Sequence, residues 1–438
     1  MIHTIRNCYD SHVHFLATGQ VAAGLKLNSL KSEIDVRQLQ LKPSFYRAEW
    51  LTGFGWDQNK WPVKEFPHKK TLDEVFKTTP VFFSRVDGHT SWINSAAIEQ
   101  FKKVGYNFSS DPIGGKILRD IDGQPSGVLL DQAHINALQL LPKFNDVQNI
   151  LFIEQAQNIF NRAGFTHVRD LSMNLQTWNL LNKQTLNKRL TVCIDGFVTV
   201  ENVHDLPSVL TEIKEMQNSP SPLLRIHGIK LFVDGSLGSK TAYLSEPYLN
   251  TNDVGLLSWT PNEIAIALKF IWLNKLEAAV HTIGDQAVHE VVQAARTVSA
   301  AGTLGRLHLE HVQLIRPETL ILMKPLHISC HMQPCHWLSD QSWLPKVLSP
   351  RQLTNLFPWE NLRKNKILFD FGSDSPIEAP GLLRTPEALQ KSAKSGVPEL
   401  KSNWQVYHQH PDLNWTNSRT EFDDQTIKQV YFNGEPLL

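Results

Sequence analysis

The sequence predicts an α/β protein built on a (β/α)8 barrel, a closed cylinder of eight parallel strands with the connecting helices outside it. Short β-branched or apolar runs alternate with helical stretches from about residue 164 into the 370s, and the chain carries eight such runs. Most successive runs are separated by roughly 20 to 50 residues, which fits the roughly 30 residues per strand–helix unit of an ordinary barrel. These observations favour crossover connections and a parallel sheet.

The first predicted strand is the run that ends in His14. The other seven follow in order at 166–169, 190–194, 226–233, 278–281, 307–311, 327–332 and 367–371. Apolar residues at helical spacing predict helices between them, for example at 150–163, 263–273 and 286–298. After Asp374 the chain is expected to be irregular, ending in a strand at 427–432.

One interval breaks the regular spacing, because about 150 residues separate His14 from the second strand, an excess on the order of 120 over one ordinary unit. The surplus, residues 31–148, is predicted to be an inserted domain, compact and loop-rich, that lies over the barrel mouth. The barrel then comprises 8–30 and 149–400. Residues 1–7 and 401–438 are expected to form a small β region in which 427–432 pairs with the run 2–5.

Composition excludes some function classes. The 438 residues contain 43 Lys and Arg against 43 Asp and Glu, so no strong positive field is expected for nucleic acid or an anionic membrane. Four scattered cysteines predict free thiols in a reducing compartment. No apolar run approaches the roughly 18 residues that span a bilayer. These features predict a cytoplasmic protein without nucleic-acid or membrane partners.

The strongest local motif is Asp10-Ser11-His12-Val13-His14. Alternate residues of a strand project to one side, so the imidazoles of His12 and His14 can bind one ion, and Asp10 shares that side. Residues 15–20 are expected to form a loop. This places the histidine pair at the C-terminal rim, where the active sites of barrel enzymes lie.

Four later strands end in residues that could join a divalent metal site, namely Lys230, His281, His311 and Asp374. Each has an ordinary structural explanation. Lys230 could be a surface lysine, His281 or His311 a hydrogen-bonded core histidine, and Asp374 a helix N-cap. Together with His12 and His14, however, they occupy the same end of the strand pattern, which favours convergence on the barrel axis.

Ordered motifs over nearly the whole chain resemble the amidohydrolase superfamily, specifically the YtcJ-like branch of amidohydrolase family 3 that includes N-substituted formamide deformylase. Besides DSHVH, the resemblance depends on GFGWDQNKW at 53–61, VDGHTSWINSAAI at 86–98, DPIGGKILRDIDGQPSGVL at 111–129, GFTHVRD at 164–170, KLFVDGSLGSKTA at 230–242, HTIGDQAV at 281–288, LEHVQ at 309–313, MQPCHWLSD at 332–340 and GSDSP at 372–376.

The resemblance implies a distorted barrel with one or two divalent metal ions, usually zinc. His12, His14 and Asp374 would bind the first ion, and His281 and His311 the second. Lys230 would be carboxylated and would bridge the two ions. An unmodified Lys230 would favour a mononuclear site instead. Nitrogen and oxygen ligands suit zinc, although manganese, iron and cobalt also accept them.

The predicted function is a metal-dependent hydrolase that cleaves a C–N bond of amide or N-formyl type in a small molecule with a metal-activated hydroxide. Asp374 would act as general base and then general acid. Two alternatives stay open: a mononuclear deaminase or cyclic-amide hydrolase, and a catalytically silent metal-binding member of the family. A homodimer is left open as the oligomeric state.

Several further residues are expected to contact substrate or to orient the ligand histidines. Near the strand ends these are Asp285, Glu310, Gln313 and His336, and in the insert His89 and Trp92 could roof the pocket. Trp92 could equally belong to the insert's own core. His12 lies almost at the start of the chain, so the residues outside the barrel are expected to be a remnant of the family's accessory β-sandwich.

Overall fold

The computed structural model describes residues 1–86, 88, 90–112 and 115–437. The chain divides into two compact units. One comprises Met1–Thr18 and Ala156–Leu438, and the other Gly19–Gln155. The expectation that the insert covers the barrel mouth stays a prediction.

The larger unit contains the predicted barrel, which is confirmed. Eight parallel strands each pair with the next one along the chain. In order they are Tyr9–Val13, His167–Met173, Cys193–Thr199, Leu224–Phe232, Glu277–Thr282, Leu307–His311, Ile328–Met332 and Leu368–Phe371. The eighth strand returns to the first, because Asp374 N donates to His12 O at 2.7 Å and His14 N donates to Ser375 O at 2.8 Å.

The helices of this unit follow the strands, and all but the last of them lie in crossover connections between two barrel strands. They are Leu175–Leu186, Leu206–Gln217, Pro261–Leu273, Asp285–Ala300, Pro317–Met323, Pro334–Asp340, Leu344–Val347, Pro350–Leu353, Trp359–Lys364 and Arg384–Lys394. Short 3₁₀ turns lie at Val203–Asp205 and Trp404–His408. A capping box of Thr260 and Glu263 begins the helix at Pro261, satisfying backbone donors that the first helical turn leaves free.

Two predicted boundaries were wrong. The third strand is Cys193–Thr199, not 190–194, because the apolar residues 190–192 precede the strand while the polar Asp195 lies within it. Residues 15–20 belong to the helix Phe15–Ala23. Asp170 accepts a hydrogen bond from Phe15 N at 3.2 Å and so caps this helix from a distant strand.

The chain after Asp374 is also more regular than expected. It contains the helix Arg384–Lys394 and then three strands of a four-stranded antiparallel sheet, which His3–Arg6 completes. Its strands, in spatial order, are His3–Arg6, Arg419–Phe422, Ile427–Phe432 and Glu435–Pro436. The two terminal segments share a sheet, but the predicted pairing of 427–432 with 2–5 was wrong, because Arg419–Phe422 lies between them and pairs with both.

The smaller unit has its own sheet, which contradicts the loop-rich expectation. Its strands are Leu25–Lys26, Tyr46–Arg47, Trp50–Trp56, Val81–Arg85, Thr90–Ile93, Gly115–Arg119 and Pro125–Asp131. Its helices are Lys69–Phe76, Ser95–Lys103 and Gln132–Gln139, with 3₁₀ turns at Glu33–Gln38, Pro43–Phe45 and Gln58–Lys60. Two helices, Phe15–Ala23 and Asp146–Arg162, contain the boundaries between the units. Trp56, Trp61 and Trp92 pack together in the core of the smaller unit.

None of the helices in the described ranges has the length and hydropathy needed to cross a membrane.

Position 228 in the barrel wall has no room for a side chain, because the fourth and fifth strands approach each other closely at Gly228. A Cβ atom at this position would lie 1.8 Å from the backbone oxygen of Glu277. We expect Gly228→Ala to lower the free energy of unfolding by about 1–3 kcal/mol, because strand backbone must shift to relieve the overlap. Urea unfolding followed by circular dichroism measures this change.

Gly238→Ala is the matched control, since the nearest atom to its new Cβ would be 3.5 Å away in the Trp343 ring. Equal stability of the two variants would contradict this account of the barrel wall.

Candidate metal centre

Barrel closure brings three predicted ligands together at the carboxyl ends of the strands. The Nε2 atoms of His12 and His14 each lie 3.3 Å from Oδ1 of Asp374. Neither contact is directed as a hydrogen bond, and Oδ1 of Asp374 has no hydrogen-bond partner in the described part of the chain. Two imidazole nitrogens and a carboxylate oxygen thus face one point, as ligands of a single cation do.

A second group of potential ligands shares Asp374. Its other members are His311 and His336, and the three ligand atoms lie within 4.8 Å of one another. His336 Nε2 is 3.6 Å from Oδ2 of Asp374. Asp374 is therefore shared by the two groups, with Oδ1 near His12 and His14 and Oδ2 near His336. The motif MQPCHWLSD supplies His336, which was predicted only to contact substrate or to orient a ligand.

Lys230 and His281 complete the predicted set. The ring centroid of His281 is 4.5 Å from that of His311, and His281 Nε2 lies 3.2 Å from the backbone oxygen of Gly235. Lys230 is fully buried, and its Nζ has no hydrogen-bond partner among the described residues. The Nζ atom lies 4.8 Å from the centre of the Phe232 ring. A buried ammonium group without a partner is costly. The surroundings therefore favour a Lys230 side chain that does not carry its usual positive charge.

Hydrogen bonds at the far side of two imidazoles fix which nitrogen faces Asp374. His12 Nδ1 lies 2.6 Å from Oε2 of Glu310, and His311 Nδ1 lies 2.8 Å from Oε1 of Gln333. Each contact leaves the Nε2 atom of its ring for the site. Partners of this kind orient metal-binding histidines. Glu310 was predicted for such a role.

Arg169 and Gln333 were missed by sequence reasoning. Arg169 Nη1 donates to Oε1 of Glu310 at 2.9 Å and so holds the carboxylate that contacts His12. Its only sequence signal is an arginine inside the apolar run of GFTHVRD. Gln333 lies inside MQPCHWLSD, beside a residue that was named. Their roles depend on contacts between strands, which the linear sequence does not contain.

The charges of the site alter several pKa values. Burial would raise the pKa of Asp374, but the neighbouring His12 and contacts with both histidines of the motif outweigh it and hold the value well below normal. Burial lowers the pKa of Lys230 to about 8, although the negative charges of Glu310 and Asp374 act in the opposite direction. Burial and the charge of Lys230 lower the pKa of His281 to about 3, so His281 is neutral, as a metal-binding imidazole must be.

Backbone strain is concentrated at the same place. Three non-glycine residues at the strand ends have left-handed φ angles: His311 at 71°, Val312 at 43° and Asp374 at 59°. Such conformations cost roughly 1–3 kcal/mol each and persist where surrounding contacts enforce them, often at functional sites. The hydrogen bond from Asp374 N to His12 O is one such contact.

The remaining predicted residues are placed as follows. Gln313 Nε2 lies 3.2 Å from Nδ1 of His336, beside the site. Asp285 contacts Ser245 and Arg316 at the beginning of a helix. Trp92 lies in the core of the smaller unit, where its Nε1 donates to His68 O at 3.2 Å. His89 lies outside the described residues.

The chain matches a model of the amidohydrolase family over residues 9–394. It is 27% identical to the YtcJ protein of Bacillus subtilis (strain 168), over 84% of this chain and 69% of that protein. It is 25% identical to N-substituted formamide deformylase of Arthrobacter pascens, over 60% of this chain and 49% of that protein. A solved structure, a metal-dependent hydrolase from Pyrococcus furiosus, aligns with a TM-score of 0.72 and 25% identity, over 88% of this chain and 76% of that one.

The contact between Glu310 and His12 predicts an effect on metal affinity. We expect Glu310→Gln to weaken Zn²⁺ binding about 10- to 100-fold, because a neutral amide orients and polarises the His12 ring less than a carboxylate does. Competition with a fluorescent chelator measures the affinity.

Glu360→Gln is the matched control, since Glu360 is 2% exposed, binds Arg363 and lies outside the ligand groups. It should bind Zn²⁺ as the native protein does. Equal Zn²⁺ affinity in the Glu310 and Glu360 variants would contradict the orienting role of Glu310.

Proposed function

Since this chain belongs to the amidohydrolase family, we propose that it is a metal-dependent hydrolase that cleaves a C–N bond of amide or N-formyl type in a small molecule. The observation that supports this most strongly is the approach of His12 and His14, from the first strand, to Asp374, which follows the eighth. The name of the Arthrobacter relative, a deformylase of N-substituted formamides, points to the same bond type for this chain.

His12, His14 and Asp374 would hold one divalent ion, with zinc the metal that this donor set fits best. His281 and His311 would supply nitrogen ligands for a second ion, and a carboxylated Lys230 would bridge the two. The buried Nζ of Lys230, without a partner among the described residues, supports this modification, because a carbamate replaces an unpaired cation by two anionic oxygens. A bound divalent ion lowers the pKa of a water ligand and polarises a carbonyl oxygen.

Asp374 is the residue that we propose moves the proton. Its carboxylate accepts a proton from the attacking water and delivers it to the leaving nitrogen as the C–N bond breaks. The balance is one water consumed, its hydroxyl on the carbonyl carbon and its proton on the amine. The depressed pKa of Asp374 keeps this carboxylate ionised before the reaction begins.

His336 would position that carboxylate. Its Nδ1 is 3.2 Å from Gln313 Nε2, and its Nε2 is 3.6 Å from Oδ2 of Asp374. Oδ2 of Asp374 thus lies near His336, while Oδ1 faces the first-strand histidines. The two oxygens of Asp374 can therefore perform different tasks.

Replacing the proposed proton carrier tests the reaction. We expect Asp374→Asn to lose about 10²- to 10⁴-fold in kcat on any N-formyl or N-acyl amine that the native protein hydrolyses, because an amide cannot carry the proton. Amine release from a panel of such compounds measures this loss, and circular dichroism checks the fold.

Asp73→Asn serves as control, since Asp73 accepts hydrogen bonds from Ser95 N and Oγ, both at 2.7 Å, in the smaller unit. It should keep native kcat. An Asp374→Asn variant that keeps the native kcat would rule out the proposed role.

The metal count tests the proposal for Lys230. We expect the native protein to bind two equivalents of metal and Lys230→Met to bind about one, because methionine keeps the volume of the side chain but cannot carry a carbamate. Elemental analysis after gel filtration measures the ratio. One equivalent in the native protein would instead favour the mononuclear deaminase or cyclic-amide hydrolase.

A further inference from the structure

A second cavity lies at the other end of the barrel. Its volume is about 250 Å³, and its lining includes residues from the first or second positions of barrel strands, such as Tyr9, Glu277, Ser329 and Leu368. The candidate metal ligands come from the last positions of the strands or from just beyond them. All residues of this cavity belong to the larger unit. Nothing in the proposed hydrolase reaction uses this cavity.

The cavity is lined by a buried arginine, Arg169, and two of its N–H groups make no hydrogen bond to the described residues. Arg169 is 2% exposed, and its Nη1 donates to Glu310 and to Ser11 O. Its Nε and Nη2 have no hydrogen-bond partner within the described ranges. These two N–H groups form the fork that binds both oxygens of a carboxylate. Leaving such charged donors buried and unpaired is costly.

A neighbouring histidine offers one more donor or acceptor. His331 is 3% exposed and also lines the cavity. Its Nε2 lies 2.9 Å from Nδ1 of His308, while its Nδ1 has no partner among the residues described. Two buried polar side chains that line one cavity therefore carry polar atoms without a partner among the described residues.

Two of the three acidic residues that line the cavity already contact histidines. Asp195 accepts from His227 at 2.7 Å and from His410 at 2.8 Å, and Glu277 contacts His308 at 2.8 Å. Burial raises the pKa of Asp370 to about 7, although Arg169 and His410 act in the opposite direction, so its negative charge is reduced near neutrality. Arg306 also lines the cavity and lies 3.7 Å from Glu277, and the charge of Arg169 is paired with Glu310. What remains unmatched is the pair of N–H donors on the Arg169 edge, which favours a ligand with two acceptor oxygens, and the three nearby carboxyl groups disfavour a dianion.

The rest of the lining is apolar and limits the size of a ligand. Phe197, Leu368 and Phe369 line the cavity, and the Arg169 guanidinium lies 4.3 Å from the centre of the Phe197 ring. A cavity of about 150 Å³ holds benzene, so about 250 Å³ has room for a small ring with one substituent. We propose that this cavity binds a small organic monocarboxylate, with its carboxylate on Nε and Nη2 of Arg169 and its apolar body against Phe197 and Phe369.

Calorimetric titration of the metal-loaded protein with sodium benzoate tests the proposal. Benzoate should bind with one-to-one stoichiometry and at least tenfold more tightly than neutral benzamide, because a carboxylate forms two charge-assisted hydrogen bonds with a guanidinium edge and an amide does not. Inorganic phosphate should bind more weakly than benzoate. Absence of saturable benzoate binding, equal affinity for benzamide, or tighter binding of phosphate would each overturn the proposal.

Four variants locate the site. Ser329→Leu fills the cavity and should weaken benzoate binding at least tenfold, whereas Ser329→Ala keeps the cavity and should bind benzoate normally. Arg169→Lys keeps a positive charge without the fork and should weaken binding similarly, which provides the test if Ser329→Leu does not fold. Asp374→Asn should bind benzoate as the native protein does. Affinity lost in Asp374→Asn but kept in Ser329→Leu would assign benzoate to the metal centre and overturn the proposal.

Discussion

The position of Asp374 is the constraint on which the rest of the candidate site depends. Its backbone N–H closes the barrel by donating to His12 O at 2.7 Å, and its Oδ1 lies 3.3 Å from the Nε2 atoms of both His12 and His14. The same segment therefore closes the sheet and assembles the ligand group. Gly372 permits this approach, since a Cβ there would lie 2.5 Å from His12 N. Folding and site formation cannot be separated in this chain.

A line of buried polar contacts connects the two ends of the barrel. Glu310 contacts His12 through one oxygen and Arg169 through the other, and Arg169 lines the cavity at the far end of the barrel. Burial would raise the pKa of Glu310, but Arg169, His331 and His12 outweigh it and keep the carboxylate ionised. A charged group in the barrel core is thus stabilised from both sides, which explains how an ionised residue persists where apolar packing is usual.

The sequence predicted the barrel because parallel strands buried on both faces form short continuous apolar runs, and these runs are visible without a structure. It misplaced the third strand because Asp195 resembles a strand end, whereas its carboxylate accepts hydrogen bonds from His227 and His410. The helix at Phe15–Ala23 was missed because its cap, Asp170, is far away in the sequence. His12, His14 and Asp374 were found from motifs. Arg169 and Gln333 were missed because only the fold brings them beside their partners.

The central claim is that His12, His14 and Asp374 bind one divalent ion together. Anomalous X-ray diffraction at the zinc edge, on crystals of the metal-loaded protein, tests it most directly. The account predicts a zinc peak about 2.0–2.2 Å from Nε2 of both histidines and from a carboxylate oxygen of Asp374. A fully loaded protein whose zinc lies elsewhere, with either imidazole turned away from Asp374, would contradict it.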